Sequence, residues 1–195
     1  MNIKGQLDKY TLLYDTMVIS DKVKLEAKPI VDKILANKEI YQKISDSLGG
    51  KIPYYFIAVI HNLECSLSFN KHLHNGDKLT SRTVLVPSGR PIDPPINPNG
   101  YSFMESALDA LKMKGYDQKE SWTLEETLYR LEKYNGWGYY YKNTNSPYLW
   151  AGTNQYTKGK YVKDGVFDPN AVSKQIGAAI IIKILTTTQN TPPEL

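Results

Sequence analysis

The sequence from residue 53 to residue 69 reads PYYFIAVIHNLECSLSF, an apolar run interrupted by a carboxylate. As a helix with Pro53 in its first turn, it places Ile57, Ile60 and Glu64 on one stripe. An ionised carboxylate on a core-facing stripe is costly, so the pKa of Glu64 should rise or the side chain must find a partner. Two interpretations follow: a structural acid bonded to the backbone, or a proton donor poised near neutral pH.

The composition is that of a globular protein, and the length of 195 residues predicts a single domain over residues 1–195. The net charge of +4 comes mostly from scattered lysines, and no basic block indicates nucleic-acid binding. Cys65 is the only cysteine, which excludes an internal disulfide. The sequence shows no signal peptide and no apolar run long enough for a membrane span. We therefore expect a chain made in the cytoplasm, without stable membrane insertion.

Helical patterns dominate the chain. Residues 17–48 have amphipathic periodicity that Gly49 and Gly50 end, so residues 1–50 are predicted to form a helical N-terminal extension. Capping boxes at residues 102–105 and 123–126 predict two further helices, the first through residue 114 and the second closed by residues 135–136. Asp168 followed by Pro169 predicts a helix that runs to about residue 185.

The β signal is confined to one region. Asn75 and Gly76 have the chemistry of a tight turn, and residues 80–86 alternate like a short strand. Residues 91–100 are proline-rich and predict a rigid surface loop, whereas residues 186–195 predict a frayed tail. The sum is an α+β class, mostly helical with one small β-hairpin after the Glu64 helix.

This arrangement suggests glycosidase chemistry. A glycosidase needs a general acid for the leaving oxygen, and an inverting enzyme adds a carboxylate that activates water. Glu64 at a helix end would face a hairpin that offers Asp77, with Thr80 and Thr83 on the following strand. The competing interpretation is that Glu64 is a solvated or capping residue and that Asp77 is an ordinary turn residue.

A second interpretation is a metal-dependent wall hydrolase. His61 lies one helical turn before Glu64, and His72, His74 and Asp77 follow, so the group could supply four ligands. No familiar zinc-hydrolase signature accompanies this spacing, and structural or groove-lining histidines explain it as well. We therefore predict no metal and no cofactor, with His74 in the substrate groove.

A third feature is an aromatic segment, which combines tyrosines and tryptophans with asparagine and glycine between residues 134 and 161. Aromatic rings stack on sugar faces and amides bond to hydroxyl and N-acetyl groups, although such rings also fill ordinary cores. The predicted substrate-binding residues here are Tyr134, Asn135, Trp137, Tyr139, Tyr148 and Trp150, together with His74 and Arg82 from the earlier region.

Several segments resemble the lysozyme-like superfamily. Residues 57–69, IAVIHNLECSLSF, are similar to the catalytic helix of its lytic transglycosylases, and residues 134–138, YNGWG, to a segment that lines their sugar groove. The stretch FNKHLHNGDKLTSRT at 69–83, SPYLW at 146–150 and KGKY at 158–161 also resemble lysozyme-like proteins of bacteria and phages. Cys65 replaces the usual serine and the Gly-Leu-Met-Gln motif is missing, which weakens the transglycosylase assignment more than the superfamily one.

The resemblance implies a lysozyme-like fold with peptidoglycan strands as the partner. Glu64 would be the general acid, Asp77 the second carboxylate, and Thr80 or Thr83 would hold water. The expected activity is that of a muramidase or endolysin, which acts as a monomer on the bacterial wall after release or export. The alternatives are a lytic transglycosylase that uses Glu64 alone, the metal-dependent hydrolase, and a glycan-binding module without catalysis.

Overall fold

The computed structural model describes residues 3–163 and 165–188. These residues form nine helices and one two-stranded antiparallel sheet. The helices are α1 (Ile3–Asp15), α2 (Asp21–Ala36), α3 (Lys38–Asp46), α4 (Tyr54–Cys65), α5 (Phe103–Met113), α6 (Leu124–Asn135), α7 (Gly138–Tyr141), α8 (Pro147–Trp150) and α9 (Ala178–Thr188), and the strands are β1 (Lys160–Lys163) and β2 (Val166–Asp168). The predicted α+β class, mostly helical with a small sheet, is confirmed.

The described residues fall into two compact units. The first, here called the Glu64 unit, is residues 33–122. The second, called the aromatic unit, comprises residues 3–32 together with 123–163 and 165–188. The first 50 residues are thus divided between the units, because the boundary falls within α2. That the chain folds as one domain remains a prediction.

Helix α4 is the centre of the Glu64 unit. Its residues from Phe56 to His61 are all buried, so this helix is apolar around its circumference rather than along one stripe. Pro53 lies at the N-cap position, and α3 and α5 pack in the same unit. The helix ends at Cys65, about three residues before the predicted end near Ser68.

Both predicted capping boxes are present. In α5 the Ser102 side chain accepts from the backbone N–H of Glu105, whose carboxylate accepts from the N–H of Ser102 at 2.8 Å. Thr123 and Glu126 form the same reciprocal pair at α6. Each box satisfies two N–H groups that would otherwise lack partners, which explains why these helix starts could be read from sequence.

The predicted strand over residues 80–86 is wrong, and so is the placement of the β-hairpin beside α4. The sheet lies instead at residues 160–168 in the aromatic unit, and the described region between α4 and α5 contains only two isolated bridges, Lys71 with Lys78 and Asn97 with Gly100. The cause is a competing carboxylate. Asp77 Oδ2 accepts from the N–H groups of Val84 and Leu85 at 2.8 and 2.9 Å, so these donors bond to a side chain and the segment turns.

The predicted helix that begins at Asp168 is also wrong. Asp168 ends β2, and its Oδ1 accepts from the N–H groups of Asn170 and Ala171, which gives a turn rather than a helix N-cap. Helix α9 begins only at Ala178, after Gly177 donates its N–H to Ala151. Residues 186–188 of the predicted frayed tail belong to α9, and residues 189–195 lie outside the described residues.

The aromatic unit is organised around α6. This helix packs with α1, α8 and α9, and the buried residues of α9 run from Ala178 to Ile182. Among the helices of the described residues, none combines the length and apolarity that crossing a membrane requires.

Candidate functional site

Glu64 lies at a protected helix end in the Glu64 unit. It occupies the last turn of α4 and is half-buried, whereas the adjacent Cys65 is fully buried. The helix stops because Ser66 adopts a left-handed conformation with φ of 52°. Gly76 lies directly against this end, since a Cβ at Gly76 would stand 2.4 Å from the carbonyl oxygen of Glu64. The turn therefore covers the backbone of Glu64, whereas the residue as a whole stays partly exposed to solvent.

The turn that covers Glu64 confirms the predicted Asn-Gly chemistry. Gly76 has φ of +79°, which an L-residue adopts only with strain. Asn75 Oδ1 accepts from the N–H of Asp77 at 3.0 Å, and the His72 N–H donates to the Asp77 carbonyl oxygen at 2.6 Å. The short closed loop from His72 to Asp77 is thus held by its own hydrogen bonds.

The Asp77 carboxylate anchors the next loop. Its Oδ2 accepts the two N–H groups of Val84 and Leu85, and Asn75 Nδ2 donates to the Leu85 carbonyl oxygen at 2.9 Å. Asp77 is half-buried. Oδ2 therefore has a structural task, and Oδ1 is the oxygen that remains for chemistry on a water or a substrate.

The two predicted threonines differ in accessibility. Thr83 is buried, and its hydroxyl donates to the Pro87 carbonyl oxygen at 2.6 Å while accepting from the Arg90 N–H at 2.9 Å. Thr80 is exposed. The Thr83 hydroxyl thus closes the 83–90 loop, and Thr80 is the member of the pair that faces solvent.

Arg82 is held at the proline-rich loop. Its Nε donates to the Tyr101 hydroxyl at 3.2 Å, and a terminal nitrogen donates to the Ile92 carbonyl oxygen at 2.6 Å. The Tyr101 hydroxyl in turn donates to the Asp93 carbonyl oxygen at 3.1 Å. Arg82 therefore braces residues 92–101 of the loop that the prolines predicted.

His74 belongs to an ion-pair network that includes a residue missed by the sequence analysis. The Arg90 guanidinium makes a bidentate pair with the Asp109 carboxylate at 2.8 and 2.9 Å, and His74 Nε2 lies 2.7 Å from Asp109 Oδ2. Arg90 and Asp109 side chains are each 16% exposed. Asp109 therefore ties the loop before α5 to the loop that covers Glu64. In the sequence, Asp109 could have been noticed from its place on the helix that the Ser102 capping box predicts.

Ser106, also missed, lies between His72 and His74, and its Oγ is 3.4 Å from His74 Nδ1. His72 Nε2 lies 2.8 Å from the Ser81 carbonyl oxygen, which only accepts, so Nε2 carries the proton and Nδ1 accepts from the Ser106 hydroxyl at 2.9 Å. Ser106 Oγ also accepts from the Leu73 N–H at 3.0 Å. Burial lowers the pKa of both His72 and His74, although Asp109 opposes this for His74. Both rings are therefore favoured in the neutral form.

The metal-ligand interpretation receives no geometric support. His61 Nδ1 lies 2.9 Å from the Tyr41 hydroxyl and its ring packs on Phe69 and Phe103. Burial lowers the pKa of His61 to about 4. Across residues 3–163 and 165–188, no group of three histidine, cysteine or acidic side chains is arranged to hold a metal ion.

The predicted aromatic residues of the other unit divide by burial. Tyr134, Tyr139, Tyr148 and Trp150 are all less than 10% exposed, whereas Trp137 is half-buried and Asn135 is exposed. Trp137 packs on the rings of Tyr129 and Tyr140. Most of these rings therefore contribute to the core of the aromatic unit and expose little of their surface.

Three of these predicted residues nevertheless line one cavity of about 530 Å³, here called the aromatic–lysine cavity. Its described lining comprises Asn135, Gly136, Gly138, Tyr139, Pro147, Tyr148, Lys160, Tyr161, Lys163, Gly165, Ser173 and Gln175. A volume of this size is in the range of small-molecule sites. Tyr161 belongs to the predicted aromatic segment, whereas Lys160, Lys163 and Gln175 were not predicted as site residues.

A second cavity of the aromatic unit, of about 430 Å³, contains a buried acid. Glu132 is 3% exposed and accepts a short hydrogen bond from the Tyr10 hydroxyl. Burial raises the pKa of Glu132, a rise that the Tyr10 hydrogen bond and the charge of Lys9 partly offset. Trp150 lines this cavity rather than the first one. Glu132 was not predicted as a site residue, because the periodicity of its helix, α6, is that of an ordinary surface helix.

The sequence matches no protein-family model, no curated protein and no solved structure.

Proposed function

We propose that the protein is a lysozyme-like glycoside hydrolase of peptidoglycan, with Glu64 as the general acid at the bond between N-acetylmuramic acid and N-acetylglucosamine. The observation that carries the proposal is the position of Glu64. Glu64 is a half-buried residue at the end of the most buried helix of its unit, and its backbone carbonyl lies against a glycine turn that also bears Asp77. A general acid needs this combination of partial shelter and access.

Asp77 is the candidate second carboxylate. In an inverting mechanism it activates the attacking water, and in a retaining mechanism it acts as nucleophile or stabilises the developing positive charge. The two N–H donors on Oδ2 hold the carboxylate in a fixed orientation. Thr80, exposed on the same loop, is the hydroxyl that can hold a water.

The test is the substitution Glu64→Gln, which keeps the shape of the side chain and removes its proton chemistry. We expect lysis of purified peptidoglycan to fall by at least about a hundredfold, in line with general acid catalysis. The matched control is Glu39→Gln, an exposed acid of the same unit in the first turn of α3. Persistent lysis by Glu64→Gln, with the same product, contradicts the proposal.

Asp77→Asn separates hydrolysis from transglycosylation. A lytic transglycosylase uses a single acid and leaves an anhydro end, whereas a hydrolase leaves a reducing end that is heavier by one water. Mass spectrometry of the released muropeptides distinguishes the two. Reducing ends together with a strong loss of activity in Asp77→Asn support the hydrolase, and anhydro ends with retained activity support the transglycosylase.

A second candidate function is glycan binding without catalysis. The aromatic–lysine cavity favours it, because that cavity belongs to the aromatic unit and does not include Glu64. In that case the chain sediments with purified peptidoglycan, the wild type releases no muropeptides, and Glu64→Gln changes neither result.

A further inference from the structure

The aromatic–lysine cavity has a wall that is organised before any ligand binds. Tyr139 and Tyr161 make an edge-to-face contact with ring centres 5.2 Å apart, and Tyr161 donates its backbone N–H to the Tyr139 hydroxyl at 3.1 Å. A Cβ at Gly138 would stand 2.8 Å from the Tyr161 hydroxyl oxygen. Glycine at position 138 is therefore what allows Tyr161 to lie in this position.

The polar groups of the cavity are of two kinds. Asn135, Ser173 and Gln175 supply neutral hydrogen-bonding side chains, and the Gln175 side chain already donates to the Pro147 carbonyl oxygen at 2.9 Å. The two charged groups of the described lining are the ammonium groups of Lys160 and Lys163, from strand β1. Amides next to tyrosine rings are suited to the hydroxyl and N-acetyl groups of a sugar.

The positive charge of these lysines is available for a ligand. Asp168 is the cross-strand partner of Lys160, but its Oδ1 accepts from Asn170 and Ala171, and the described structure contains no ion pair between Asp168 and Lys160. The described lining holds no aspartate or glutamate. Asp164 follows Lys163 in the sequence and lies outside the described residues.

We propose that the aromatic–lysine cavity binds a saccharide that carries an anionic group, with the sugar against Tyr139 and Tyr161 and the carboxylate or phosphate at Lys160 and Lys163. The choice of a saccharide rests on the proposed function, whereas the anionic preference rests on the lysines. The carboxylate source is the lactyl group of N-acetylmuramic acid, and the phosphate source is a phosphorylated wall sugar.

Chemical-shift titration of the full chain by NMR tests this with defined sugars. The probes are N-acetylmuramic acid, its methyl ester, N-acetylglucosamine and N-acetylglucosamine 6-phosphate. We expect the free acid to bind about tenfold more tightly than its neutral ester, as one charge-assisted contact provides. Tighter binding of the phosphate than of the carboxylate assigns the site to phosphorylated sugars, and the reverse order assigns it to muramic acid. Equal affinity for acid and ester overturns the proposal.

Two variants separate charge from shape. Lys160→Gln with Lys163→Gln should abolish the preference for the acid while binding of N-acetylglucosamine remains. Gly138→Ala should weaken binding of both sugars, because the new methyl group displaces Tyr161. The control for charge is Lys133→Gln with Lys174→Gln, two exposed lysines of the same unit. An unchanged preference in the Lys160 and Lys163 variant overturns the proposal.

Two further outcomes complete the test. Asp164→Asn should leave the affinity for the acid unchanged or make it higher. A lower affinity would contradict the proposal that positive charge in the cavity attracts the anionic group. Failure here is distinguishable from failure of the proposed function. If the cavity prefers the acid but Glu64→Gln still lyses peptidoglycan, only the role of Glu64 as general acid is refuted. If lysis depends on Glu64 but the cavity shows no preference for the acid over its ester, only the cavity proposal is refuted.

Discussion

The contact between Gly76 and Glu64 gives the most direct test of the site geometry. In Gly76→Ala the new Cβ would lie 2.4 Å from the Glu64 carbonyl oxygen, about 1 Å inside a normal contact. The left-handed φ of +79° adds about 1–2 kcal/mol for an L-residue. Overpacking against backbone adds about 1–3 kcal/mol, because neither segment can rotate away as a side chain would. We expect the free energy of unfolding to fall by about 2–5 kcal/mol in total.

Gly89→Ala is the matched control for this change. Gly89 has nearly the same φ, +75°, but nothing lies within 4 Å of a Cβ placed there. Its cost should therefore be the conformational part alone, about 1–2 kcal/mol. Urea unfolding of the wild type and both variants, with slopes compared to confirm that the unfolded states are alike, measures the difference.

The outcome that refutes this reasoning is a Gly76→Ala protein as stable as Gly89→Ala within about 0.5 kcal/mol. That result would mean that the turn does not press on the end of α4. If the contact is real and the proposed function is correct, lysis by correctly folded Gly76→Ala should also fall by about a hundredfold, because a shift of about 1 Å in a catalytic group has that effect.

Three other predictions concern His61, Glu132 and Asp109. Burial lowers the pKa of His61 from 6.5 to about 4. The fold should therefore gain about 3 kcal/mol of stability above pH 6.5 from the neutral ring, and lose it as the pH falls towards 4. An NMR titration in which the His61 ring titrates near pH 6.5 would contradict this. Because burial raises the pKa of Glu132, the wild type should lose stability as pH rises above about 4.5, and Glu132→Gln should lose less. Urea unfolding of both proteins at about pH 5 and pH 8 tests this. An equal change in unfolding free energy between the two pH values in both proteins would refute it. Asp109→Asn should lower the free energy of unfolding by about 2–4 kcal/mol, because Arg90 and His74 lose their carboxylate partner. The control, Asp93→Asn at an exposed position, should lower it by about 0.5 kcal/mol or less. Equal unfolding free energies for the two variants would show that the network contributes nothing.

Sequence patterns whose hydrogen-bond partners are near neighbours in the chain were predicted correctly. The capping boxes at Ser102 and Thr123 and the turn at Gly76 involve partners within five residues, so composition and spacing determine them. The buried Glu64 helix was visible for a similar reason, because a run of apolar residues has few alternatives to burial.

Signals that compete with long-range partners were misread. Residues 80–86 alternate like a strand, but Asp77 takes two of their N–H groups and Asp109 fixes the loop through Arg90. Asp168 has the residue type of a helix N-cap, but it ends a strand instead, because residues 160–163 pair with it and its neighbours. Residues 84 and 85 are bound by a carboxylate seven and eight residues away, and Asp168 pairs with a residue eight positions before it while its side chain closes a local turn.

The sequence by itself determined the helix-rich α+β class, the two capped helices, the Asn-Gly turn and the choice of Glu64 as the residue to examine. Only the tertiary structure decided that Gly76 covers Glu64, that Asp109 and Ser106 link the histidines, and that Lys160 and Lys163 join tyrosines around one cavity. The physical reason is range. Helix starts and turns depend on hydrogen bonds between near neighbours in the chain, whereas a site depends on which distant side chains the packed core brings within a few ångströms of each other.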